Sequence, residues 1–69
     1  MMPLAMAGEA VGMIKKISGN GAHRQFIENM GFVPGAEVTI VSKNSDGMIV
    51  SIKGARIAIN NDVALKIYI

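Results

Sequence analysis

Residues 36–53 read Ala36-Glu37-Val38-Thr39-Ile40-Val41-Ser42-Lys43-Asn44-Ser45-Asp46-Gly47-Met48-Ile49-Val50-Ser51-Ile52-Lys53. Val38 and Ile40 alternate with Glu37 and Thr39. Met48, Val50 and Ile52 alternate with Ile49 and Ser51. A period of two belongs to a strand with one buried face. Asn44-Ser45-Asp46-Gly47 lies between the two runs as a hairpin turn, and Asp-Gly is its strongest element. Strands at 36–43 and 48–53, closed by a tight turn, set the class as β.

The pattern continues on both sides. Toward the C-terminus, Gly54-Ala55 is tight and 56–59 forms another strand, with Ile57 and Ile59 on one face. Asn60-Asn61-Asp62 starts a helical turn through Ala64. A last strand over 65–69 sets Leu65, Ile67 and Ile69 against Lys66 and Tyr68. Toward the N-terminus, Phe32-Val33-Pro34-Gly35 carries a type II turn, in which Pro34 presets φ and Gly35 supplies φ > 0. Over 22–30 the period changes. Ala22, Phe26 and Met30 recur at i, i+4, i+8 and make an apolar stripe on a short helix, opposite a wet face of Arg24, Gln25, Glu28 and Asn29. Asn20 is placed to cap its start and Gly31 to end it. Residues 10–17 read as a strand, in which Gly12 marks a bulge or a close backbone approach. Five short strands and one nine-residue helix predict a mainly β domain spanning 1–69, arranged as a small β-barrel that leaves no free edges. An open five-stranded sheet covered by the helix is the alternative.

Composition narrows the function classes. The chain has 69 residues, no cysteine and a net charge of +2. It is 51% hydrophobic before its 8 glycines are counted, against ~45–50% with glycine included in ordinary domains. Disorder and disulfide scaffolds are excluded. The uncharged N-terminal run, Met1 to Gly8, is too short for a membrane span, and it lacks the basic start of a signal peptide. The seven cations are scattered among five carboxylates, which is not the basic stripe that nucleic-acid binding needs.

Catalytic chemistry finds little to work with. No serine falls at i±3 or i±4 from His23, and a nucleophile needs a base that is itself held in place. His23 is also the one imidazole a transition metal could use. Its helix neighbours at i+3 and i+4 are Phe26 and Ile27, so a tight Fe²⁺ or Zn²⁺ site within one chain is not expected. A site shared between copies stays open. Gly19-Asn20-Gly21 precedes the helix without the Lys-Ser/Thr pair of a nucleotide loop. Met1, Met2, Leu4 and Met6 show no strand period. They read as a tail over the barrel opening or as an adaptable sticky surface.

Pro3-Leu4, Gly8-Glu9, Met30-Gly31-Phe32, Pro34-Gly35 and Val38-Ile40 follow one another in the order and spacing of the FeoA family. So do Gly54, Arg56, Ile57-Ala58-Ile59, Asp62, Ala64 and Ile67 in the second half. The chain therefore resembles that family over nearly its whole length, although its helix carries one arginine where the family is rich in Arg and Leu. The resemblance implies a Src-homology-3-like barrel. It also implies a cytoplasmic, non-enzymatic accessory role in bacterial ferrous iron uptake, with the GTP-binding domain of the FeoB transporter as partner. The alternative it leaves is a metal- or effector-binding regulatory domain like the accessory domain of iron-dependent repressors. The expected partner surface is Arg24, Gln25, Glu28 and Asn29 with the turn at Phe32, Pro34 and Gly35. The apolar surplus points to a second surface at Val41, Ile49 and Tyr68, either covered by the N-terminal tail or used for self-association.

Overall fold

The computed structural model describes residues 1–8 and 11–69. In chain order these form a 3-10 turn at Leu4–Met6, β1 (Val11–Met13), β2 (Lys16–Ile17), α1 (Gly21–Asn29), β3 (Glu37–Lys43), β4 (Gly47–Ile52), β5 (Ala55–Asn60), α2 (Asn61–Ala64) and β6 (Ile67–Tyr68). The hairpin read from 36–53 is present as β3 and β4. Its turn is built by Asn44, whose side-chain Oδ1 accepts from the backbone N–H of Asp46 at 2.8 Å and of Gly47 at 3.0 Å. At the Pro34-Gly35 turn the N–H of Ala36 donates to the carbonyl of Val33 at 3.0 Å, and Gly35 has a φ of 93°.

The strand expected over 10–17 is interrupted. Its first residue, Ala10, and the Glu9 of the Gly8-Glu9 pair lie outside the described residues. From Val11 to Met13 the chain pairs with β3, and at Lys16-Ile17 it pairs with β6. The change of partner falls at Ile14-Lys15: the N–H of Ile14 donates to Ala36, and the N–H of Lys15 donates to Tyr68. One segment thus serves two sheets, a four-stranded one in the order β1-β3-β4-β5 and a two-stranded β2-β6. Among the described residues six strands replace the five expected, and the hydrogen-bonded ladder does not close into a barrel. Free edges remain, contrary to the expectation of closure.

Leu4, Ile14, Ile17, Ile27, Phe32, Val38, Val50 and Ile67 form the centre of the core between the sheets, and among the described residues it holds no polar or charged side chain. Two readings are corrected here. Phe26, expected on the inward apolar stripe, is 58% exposed, and Leu65 is exposed as well. Leu65 fails because α2 ends on it, and the strand begins only at Ile67. Met13 points outward on β1 beside the buried Ile14. For Gly12 the close-approach reading holds, since its backbone lies against the side chain of Ile69.

Part of the N-terminal tail is ordered by pairing. Met2 and Ile69 exchange two backbone hydrogen bonds of 2.9 Å, and Pro3 forms a bridge with Tyr68. Leu4 is fully buried. The ammonium of Lys43, at the end of β3, donates to the carbonyl of Ala7 at 2.8 Å and of Ala5 at 3.3 Å. No described helix is long and apolar enough to cross a membrane.

Candidate functional site

The helix α1 is set by its ends. Asn20 adopts the extended conformation of a cap (φ −82°, ψ 173°), and its side chain accepts from the N–H of His23 at 3.2 Å. Ile27 then falls on the inward face and is fully buried, with His23 and Met30 half-buried beside it. The apolar stripe is therefore rotated by one residue from Ala22, Phe26 and Met30. Phe26 turns out to solvent.

The outward face carries paired polar groups. The guanidinium Nε of Arg24 donates to the Glu28 carboxylate at 3.3 Å, and the amide of Gln25 donates to Asn29 Oδ1 at 2.9 Å. Both are i, i+4 pairs, which hold each other's rotamers on a helix surface and add about 0.2–0.5 kcal/mol each. Exposed pairs of this kind contribute little to stability, so they leave an ordered array of donors and acceptors beside an aromatic ring. Four of the predicted partner residues, Arg24, Gln25, Glu28 and Asn29, are thus together on one helix. Pro34 and Gly35 are exposed in the turn that follows. Phe32 is different: at 0% exposure its side chain belongs to the core and can present nothing to a partner. Phe26 takes its place as the surface aromatic. Two overlapping stripes, 22-26-30 and 23-27-30, were readable in this helix, and packing against β2 selects the second.

His23 is half-buried, and among the described residues no three His, Cys, Asp or Glu side chains gather in a way that could hold a metal ion. The predicted self-association residues are divided between the sheets. Tyr68 lies on β6, with the Lys16 ammonium 5.4 Å from its ring centroid. Val41, at a bulge in β3, and Ile49, on β4, remain 39% and 38% exposed on the four-stranded sheet. The tail pairs with Tyr68 but leaves these two open.

A family model for the FeoA domain matches residues 2–69. A protein of Methanocaldococcus jannaschii named as an Fe(2+) transport protein A is 35% identical over all of this chain and 85% of its own length. Among solved structures, the crystal structure of an iron uptake regulatory protein, FeoA, superposes with a TM-score of 0.87 at 31% identity, covering 96% of this chain and 91% of that one. The zinc complex of Stenotrophomonas maltophilia FeoA, described as a prokaryotic SH3 domain protein, shares the fold with a TM-score of 0.81 at 21% identity, over 99% of this chain and 88% of that one. With the mainly β architecture and the motifs in their places, the chain belongs to the FeoA domain family, which is linked to ferrous iron transport.

Proposed function

We propose that the protein is a non-enzymatic accessory factor of ferrous iron uptake, working in the cytoplasm, and that it docks through α1 and the Pro34-Gly35 turn on the GTP-binding domain of a FeoB transporter. The observation that carries the docking face is the ordered array on α1: Arg24–Glu28 and Gln25–Asn29 paired across one turn, with Phe26 exposed beside them. Aromatic and arginine side chains are the usual anchors of protein interfaces. Pre-paired polar groups lose less freedom on docking than free ones. The M. jannaschii relative is named for Fe(2+) transport, and the S. maltophilia protein is discussed as a candidate activating factor for that transport; both support an accessory role.

An NMR titration of the labelled chain with the transporter's GTP-binding domain tests this reading. The expected result is shifts confined to residues 22–36. Arg24→Glu should weaken the complex by about tenfold or more, equivalent to ~1.4 kcal/mol, while leaving the fold intact. Unchanged affinity in both Arg24→Glu and a Gln25→Ala/Asn29→Ala double variant would remove the helix from the interface. In a parallel anaerobic titration, Fe²⁺ should show no tight stoichiometric site in the monomer, because one imidazole cannot supply the ligands such sites use. A tight site lost in His23→Ala would instead favour the metal-responsive regulatory reading.

A further inference from the structure

Strand β5 is an edge strand without the usual protection. It runs for six residues, Ala55 to Asn60, pairs with β4 in an unbroken register, and contains no proline and no bulge. Natural edges are blunted by short strands, charges, prolines or bulges. The other edge, β1, spans three of the described residues, Val11–Met13, whereas β5 carries Arg56 as its one charge.

The direction of its free backbone groups follows from two bonds. In antiparallel strands, alternate residues turn their N–H and C=O toward opposite neighbours. Gly47 accepts from Asn44, so it faces β3. Asp46 accepts from the N–H of Asn61, so even-numbered residues of this strand face β5 and odd-numbered residues beyond it face back. With the register Met48–Ile59, Val50–Ile57 and Ile52–Ala55, residues 55, 57 and 59 bond to β4. Arg56, Ala58 and Asn60 aim their backbone groups outward, and apart from the Asn60 carbonyl, which caps α2, no neighbouring strand pairs with them among the described residues.

We propose that β5 pairs with β5 of a second copy in a two-fold antiparallel dimer centred on Ala58. That register is the one in which outward groups oppose each other symmetrically about the smallest side chain of the strand's centre. Ala58 exchanges two bonds with Ala58 of the second copy. The N–H of Asn60 donates to the carbonyl of Arg56 of the second copy, and the reverse, for four bonds in all. The carbonyl of Asn60 starts α2 as its cap residue and is not counted. The charges are compatible: each Arg56 stands opposite a neutral Asn60, and no like charges meet. On the inner side, half-buried Ile57 comes opposite Ile59 and gains apolar cover. On the outer side, the Ile49–Ala58 pair continues across the two-fold into the same pair of the second copy. Isologous two-fold pairing is the commonest way for identical chains to associate. The helix α1 packs at β2, in the other sheet, so the dimer leaves the proposed docking face free.

Two substitutions at Ala58 separate this from other modes. Ala58→Pro removes an outward N–H that β4 does not use, the one setting in which an edge strand tolerates proline. Ala58→Lys sets two ammonium groups against each other at the two-fold and costs the monomer nothing in burial. Sedimentation of the full chain from low to high micromolar concentration should show a monomer–dimer equilibrium, with either variant weakening it by about tenfold or more. Amide exchange at Ala58 and Asn60 should slow as concentration rises, while circular dichroism shows that the variants stay folded. A strict monomer at high concentration with exchange at Ala58 and Asn60 independent of concentration overturns the proposal. So does a dimer that survives Ala58→Lys, or protection of these amides only when another protein is added.

Discussion

A β-carbon built on Gly12 would stand 2.9 Å from Cδ1 and 3.2 Å from Cβ of Ile69. Contacts that short force a neighbour to move, and the Cβ of Ile69 is anchored to a backbone that is itself paired with Met2. Gly12→Ala should therefore destabilise the fold by about 1–3 kcal/mol, the range of overpacked cores. It should appear as a lower urea midpoint with an unchanged slope. At this position the sequence shows that a glycine interrupts an apolar strand, which is legible as a bulge or a close approach. The identity of the group that approaches was not legible, because Ile69 is brought there by pairings across the whole chain. Phe32 is the counterpart. A turn-flanking aromatic reads equally well as a contact or as core, and only its neighbours in space assign it to the core.

At the scale of elements, α1 separates local from tertiary information. Its existence, its length and its cap at Asn20 are local properties and were readable from spacing and residue type. Its rotation about its own axis depends on what it packs against. Three substitutions measure the difference. Ile27→Ala should cost about 2–5 kcal/mol, as for a buried aliphatic. Asn20→Ala should cost about 0.5–2 kcal/mol through loss of the cap. Phe26→Ala, at a surface position, should stay within about 0.5 kcal/mol while weakening the transporter complex. Equal destabilisation by Phe26→Ala and Ile27→Ala would restore the stripe of Ala22, Phe26 and Met30. The strands follow the same division. The β3–β4 hairpin is specified by alternation and an Asp-Gly turn, whereas the change of partner at Ile14-Lys15 leaves no turn signal, since β-branched residues run through both halves of that segment (Val11, then Ile14 and Ile17) and no glycine or proline lies from Met13 to Ile17. The polar face of α1 was legible as an exposed face because nothing in the core could use it. The free side of β5 was not, because a run such as Arg56 to Ile59 looks the same in the middle of a sheet as at its edge.

The whole molecule is held together by pairings of very different reach. The β3–β4 and β4–β5 ladders join segments adjacent in sequence, whereas the Met2–Ile69 and Pro3–Tyr68 pairings join the two extremities of the described chain. The cost in entropy of closing a loop rises with its length and falls due before the contact rewards it. The order of folding is written into this difference. The central hairpins are expected to form in the transition state, and the tail with its buried Leu4 to dock after the barrier is crossed. Leu4→Ala should then cost about 2–5 kcal/mol at equilibrium and express nearly all of it as faster unfolding. Val50→Ala, in the middle of β4, should express a large part of its cost as slower refolding. Stopped-flow chevrons of the two variants decide it, and a refolding arm slowed by Leu4→Ala would place the tail in the nucleus. On this expectation the backbone clasp between Met2 and Ile69 sets how long the native state persists once formed, and has little say in how quickly it is reached.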